Sequence, residues 1–159
     1  MPQQPVTPAV VDLLQGLWPA AQALPAPVVD RARRLWLDTV SCAASGLQAD
    51  EPQRWLALQA AGDAGPVPLP GSATRLGASA ATLALAVGAC WDEACEGLAL
   101  AHGRPGVPVV AVLWAELDAR RHSWQALWQA TAVGYEVAAR LGARLRMREG
   151  LHVDGVWSA

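Results

Sequence analysis

Pro25-Ala26-Pro27-Val28-Val29-Asp30-Arg31-Ala32-Arg33-Arg34-Leu35-Trp36-Leu37-Asp38-Thr39-Val40-Ser41-Cys42-Ala43-Ala44-Ser45-Gly46 is the stretch that sets the fold class. Val28, Val29, Ala32, Leu35, Trp36, Thr39, Val40 and Ala43 recur at helical spacing, while Asp30, Arg31, Arg33, Arg34 and Ser41 fall mainly on the opposite side. A period near 3.6 gathers the apolar set on one helix face; a strand, with period 2, would split it between two faces. Proline suits the first turn, whose amides have no partner within the helix, and Gly46 is the natural stop. Asp38 lies close to the stripe, and an ion pair with Arg34 one turn back is its expected role.

The same logic extends in both directions. Thr7-Pro8 caps a helix carrying Leu13, Leu14, Leu17 and Trp18, which Pro19 is expected to end. Asp50-Glu51-Pro52 opens a third helix, with acids where the helix dipole favours them, running to about Gly62. Alternate prolines between Gly65 and Gly71 exclude helix and predict an extended connection. Ser79 to Ala89 is apolar on every side and should sit centrally in a helical pack. Pro108 suits the first turn of a helix from Val109 to Arg120, and Ser123 caps another from Trp124 to about Leu145. No stretch alternates persuasively as a strand. The predicted class is all-α: a flexible tail at 1–6, then one multi-helix domain over 7–159. Val156 and Trp157 lie one turn into a further element, so the domain is expected to be truncated at its C-terminal end.

Composition narrows the function. Apolar residues make up 53% of the 159-residue chain, charged ones 16%, and the formal charge is -2, so no nucleic-acid or anionic-membrane partner is expected. All 12 basic residues are arginine, which removes lysine Schiff-base chemistry from this chain. The 3 cysteines are too few, and odd in number, for a disulfide framework. With no signal peptide and no uninterrupted spanning segment, the expectation is a soluble cytoplasmic protein. The 8 tryptophans, with no phenylalanine, are expected mostly to fill the core.

Chemistry concentrates in Trp91 to Pro108, between two apolar runs. This stretch holds Asp92, Glu93, Glu96, Cys95, His102 and Arg104 among Gly97, Gly103, Pro105 and Gly106. Acid, base and anion-binding groups in one loop are what a small-molecule site needs. His102 precedes a helix N-terminus, where free amides and the dipole favour an anion, and Arg104 has the fork to grip a carboxylate. Asp92, Glu93 and Glu96 either orient His102 or cover the end of the preceding helix, where negative charge needs partners. Cys90, Asp92, Cys95 and His102 all carry possible metal ligands, but Cys-x4-Cys is not a zinc spacing and no metal is expected. Glu136 and Arg140 form a structural ion pair, and His122 is a surface residue.

Three stretches in order resemble the start of the MmgE/PrpD family, which includes 2-methylcitrate dehydratases, cis-aconitate decarboxylases and an iminodisuccinate epimerase. Arg33 to Ala43 is similar to its early helix with Leu-Asp-Thr and Cys-Ala. Gly134-Tyr135-Glu136-Val137-Ala138-Ala139-Arg140-Leu141-Gly142 is closer still, and His152 with Gly155-Val156-Trp157 resembles its His-Pro-x-Gly-x-x-Gly segment. The resemblance implies a helical domain, a homodimer, and a second, lid-like α/β domain not present in this chain. It also implies a lyase or isomerase that acts on a small polycarboxylic acid without metal or organic cofactor. His102 and His152 match the family's active-site histidines, and Asp92 and Glu93 the last two acids of its Asp-Phe-Asp-Asp-Thr. The first acid of that motif falls on Cys90 and its threonine on Ala94. Catalysis is thus expected from His102, His152, Asp92 and Glu93, with substrate held by Arg104 and Gly103. The family's lysine and tyrosine would lie beyond residue 159, so this chain alone is expected to be inactive. The alternative is a non-catalytic helical remnant, or a dimerising subunit of a split enzyme.

Overall fold

The computed structural model describes residues 6–119 and 122–144. Residues 1–5 of the expected 1–6 tail, the expected C-terminal break at Val156 and Trp157, and His152 lie outside the described residues, while Val6 already belongs to the first helix. Six helices and a two-stranded ribbon follow in order: α1 (Val6–Ala21), α2 (Ala26–Gly46), α3 (Asp50–Gly62), β1 (Ala64–Pro68), β2 (Arg75–Leu76), α4 (Ala78–Trp91), α5 (Gly106–Ala119) and α6 (Trp124–Arg144). A single 3₁₀ turn, Ala99–Ala101, lies between α4 and α5. Among the described residues no helix is long and apolar enough to cross a membrane.

The predicted stripe of α2 is the one that packs: Ala32, Trp36, Thr39, Ala43 and Gly46 are buried. Its main partner is α4, which turns Ala81, Ala84, Leu85, Gly88 and Ala89 inward. Fully burying one such leucine stabilises by about 1.5–3 kcal/mol. The core has two lobes. One gathers Trp36, Leu85, Val107, Val110 and Leu127; the other gathers Leu47, Leu56, Val67, Leu69 and Leu76. In the first lobe the Trp36 Nε1–H donates to Thr131 Oγ1 at 2.8 Å, and the Thr131 hydroxyl donates to the Leu127 carbonyl at 2.8 Å. This chain of bonds removes the cost of burying an indole N–H. Tryptophan is only partly a core filler here, since Trp18, Trp91 and Trp124 are exposed.

Gly46 does end α2, but not as a left-handed cap. The residue after it, Leu47, keeps a right-handed φ of -67°. The glycine is required because a Cβ at 46 would collide with the Gly88 carbonyl oxygen, while one at 88 would lie 2.7 Å from Leu47 Cγ. Two glycines therefore set how closely α2 and α4 approach.

Three expectations are corrected. Pro19 does not stop α1, which continues to Ala21. A proline in the last turn forfeits one amide bond where little helix remains, and Ala21 is buried at 4% exposure. The extended connection after α3 is more than a connection: β1 pairs antiparallel with β2, a small ribbon on the predicted helical fold. Its prolines are tolerated because β1 has β2 as its one strand neighbour. The ribbon is pinned by the Trp114 Nε1–H donating to the Pro68 carbonyl at 2.8 Å. Asp38 is not paired with Arg34, whose guanidinium takes Asp30 at 2.9 Å on the exposed side. α4 is central as expected, with Leu83, Val87 and Trp91 exposed along one side. The capping of α6 is as predicted, with Ser123 Oγ accepting from the Ala126 amide at 3.1 Å. So is the Glu136–Arg140 pair, at 2.6 Å.

Candidate functional site

α4 ends at Trp91, and the chain must then turn sharply. The Glu93 amide donates to the Cys90 carbonyl at 3.0 Å, and Glu93 itself adopts a φ of 51°. Beyond the 3₁₀ turn, His102 takes φ 53° and ψ 39°. Among the described residues these are the non-glycine residues with positive φ. Such backbone disfavours L side chains and persists when surrounding contacts impose it.

The loop is fastened to three helices. Asp38 Oδ2 on α2 accepts the Glu96 amide at 2.8 Å. Glu96 Oε1 accepts the Gly106 amide at 2.7 Å, and Glu96 Oε2 accepts the Tyr135 hydroxyl of α6 at 3.1 Å. Ser45 Oγ donates to Asp92 Oδ2 at 3.1 Å, so Asp92 at the end of α4 is tied back to α2. The Leu98 amide donates to the Gly103 carbonyl at 2.9 Å, closing the intervening loop. Gly106 has no room for a side chain, because a Cβ there would run into Leu35 and come within 2.7 Å of Glu96 Oε1.

This fastening revises the expected anion site. An anion does occupy the N-terminus of α5, but it is the chain's own Glu96, bonded to the first amide. The helix dipole favours negative charge at this end, and the group that meets it belongs to the chain itself. Burial pushes the Glu96 carboxyl above its ordinary value, opposed by the Gly106 and Tyr135 hydrogen bonds and assisted by the charge of Asp38. Burial, followed by the charge and hydrogen bond of Glu96, holds the Tyr135 hydroxyl up at about 12.

Two clefts flank the loop. The first, of about 690 Å³, lies between α4 and α5. Its walls include Leu83, Val87, Pro108 and Val112, and its polar lining includes Cys90, Glu93 and Arg104. Arg104 Nη2 donates to the Glu93 carbonyl at 3.2 Å, so these two residues are brought together. The second, of about 720 Å³, lies between α2, α6 and residues 96–98, and presents Arg31, Asp38, Glu96, Tyr135 and Glu136. Of the predicted site residues, Glu93 and Arg104 line the first cleft. Asp92, His102 and Gly103 do not line it; His102 and Asp92 are exposed. Among the described residues neither Asp92 nor Glu93 is hydrogen-bonded to His102, and no three His, Cys, Asp or Glu side chains are placed to hold a metal.

Sequence reasoning missed the role of Glu96 with Asp38 and Tyr135 as the fastening of the loop. One signal was present: a tyrosine on an apolar helix face needs a partner for its hydroxyl, and a carboxylate is a suitable one.

What these features define is a helical domain with a carboxylate-anchored loop standing between two clefts. The description of the MmgE/PrpD N-terminal domain matches residues 19–158, and the chain belongs to that family. No match was found among curated proteins or among solved structures.

Proposed function

We propose that this chain is the helical part of a lyase or isomerase, of dehydratase or decarboxylase type, acting on a small polycarboxylic acid. The observation that carries the proposal is the left-handed backbone at Glu93 and His102, with Arg104, two residues after His102, lining a cleft. Left-handed backbone at two side-chain-bearing residues of one polar loop is the kind of feature found at sites of chemistry. In a dehydration, a base removes the proton from the carbon beside a carboxylate. The electron pair forms the double bond, and the hydroxyl on the neighbouring carbon leaves as water with a proton from an acid. His102 and His152 are the proposed proton-transfer groups. Arg104 holds a substrate carboxylate, the Gly103 backbone lies beside it, and Asp92 and Glu93 orient the loop rather than the imidazole. The exposed apolar side of α4 is where a second, lid-like domain would close and exclude water. No cofactor is invoked, and the working form proposed is a cytoplasmic homodimer.

The test is turnover by the complete protein on citrate-, aconitate- and aspartate-derived acids, with His102→Ala, His152→Ala and Arg104→Ala beside it. Each substitution is expected to lower kcat/KM by roughly 10²–10⁴-fold with the circular dichroism unchanged. Folded protein that turns over none of these acids would favour a non-catalytic helical subunit. That reading has its own support in Cys90 and Ala94, which stand where the family's motif has an acid and a threonine.

A further inference from the structure

The proposed chemistry leaves the cysteines unused, yet the fold gathers them. Cys42 on α2, Cys90 in the last turn of α4 and Cys95 in the loop all pack into the same core lobe as Trp36 and Leu85. The reversal at Glu93 is what returns the chain from Cys90 to Cys95, and the two thiols are in hydrogen-bonding contact. The members of the pair are unequal. Cys90 is half-buried and lines the cleft between α4 and α5, whereas Cys95 is only 7% exposed. Contact with Cys90 and burial keep Cys95 a thiol well above the ordinary cysteine range, and the nearby Arg104 charge opposes both. Burial, and then the charges of Asp38 and Asp92, raise Cys42 above the ordinary cysteine value.

We propose that Cys90 and Cys95 form a dithiol modification site that closes to an intramolecular disulfide when exposed to a small-molecule disulfide such as oxidised glutathione. The accessible Cys90 sulfur, as thiolate, attacks one sulfur of the reagent. The reagent's S–S bond breaks and its other half leaves as a thiolate, which takes up a proton. The Cys95 sulfur, losing its proton to the solvent, then attacks the Cys90 sulfur of the mixed disulfide and expels the second half as thiol. One reagent disulfide is consumed, two reagent thiols are released, and the protein loses two hydrogens. The product ties the end of α4 to the loop and replaces a thiol in the cleft wall.

The experiment incubates the full chain with oxidised glutathione, blocks remaining thiols with iodoacetamide after unfolding, and maps the cysteines by peptide mass. The expected result is a monomeric product with Cys90 linked to Cys95, Cys42 alkylated, and full reversal by dithiothreitol. Cys95→Ser should arrest at a glutathione adduct on Cys90, and Cys90→Ser should leave Cys95 unmodified while the chain is folded. Cys42→Ser should close as readily as the parent. A Cys42–Cys90 link, a stable glutathione adduct on the parent, or three alkylated cysteines would each overturn the proposal. If Cys95→Ser fails to fold, the parent and Cys42→Ser maps decide it alone.

Discussion

The two clefts beside the loop are nearly equal in volume, about 690 and 720 Å³, yet they use their polar groups in opposite ways. Between α2 and α6 the charges are spent on the fold itself. Both Glu96 oxygens accept hydrogen bonds, Asp38 holds the Glu96 amide, and Glu136 is paired with Arg140. Between α4 and α5 a few polar groups stand among aliphatic walls, next to backbone held in a disfavoured conformation. The richer collection of acids is therefore the structural one. A carboxylate whose two oxygens both anchor the loop is held in place by the fold, so a count of charges does not by itself single out a substrate site.

That contrast is easiest to break by exchanging the consequences of mutation. Glu96→Ala should leave the Gly106 amide and the Tyr135 hydroxyl without their partner, at a cost of about 2–3 kcal/mol read from the urea midpoint. Arg104→Ala should change stability by less than about 1 kcal/mol. If Arg104→Ala is the more damaging to stability, the assignment of the two clefts is reversed. A smaller effect is expected from Tyr135→Phe, about 1.5 kcal/mol for one lost hydrogen bond to a charged acceptor. Because that bond lowers the Glu96 pKa, its removal should also push the carboxyl further up.

The smallest effect sharpens the comparison through pH. Burial raises Glu96 above its ordinary 4.5 in the folded chain, so the folded form binds this proton more tightly than the unfolded one. The stability due to the protonated carboxyl is complete below about pH 4.5 and is lost as pH rises through the raised value. Glu96→Gln should abolish that downward component, and Tyr135→Phe should extend it to higher pH. Parallel stability curves for parent and Glu96→Gln between acid and neutral pH would show that Glu96 does not titrate in this window.

Much of the helical frame was legible because each amphipathic helix carries its own period, as α2 does from Val28 to Ala43. What failed was what depends on a second segment. Gly46 resembles a cap until Gly88 is placed against it, and Asp38 resembles a partner for Arg34 until the loop after α4 folds back to it. The ribbon was hidden because strands this short, with prolines in one of them, show no alternation. For the site, the loop itself could be found from its residue types. Its internal arrangement could not, since the left-handed positions fall on Glu93 and His102 rather than on Gly97 or Gly103, and nothing local marks them.

The hydrogen bond between Trp36 and Thr131 spans 95 residues, and this has a consequence for how the chain is made. As the polypeptide grows, α2 is complete long before its indole can meet the hydroxyl on α6. Until then Trp36 keeps its N–H hydrated and much of its ring uncovered, because Leu127 and Trp128 belong to the same late helix. The first core lobe thus closes only once α6 has been made, and a nascent chain halted before α6 offers chaperones an unfinished apolar surface.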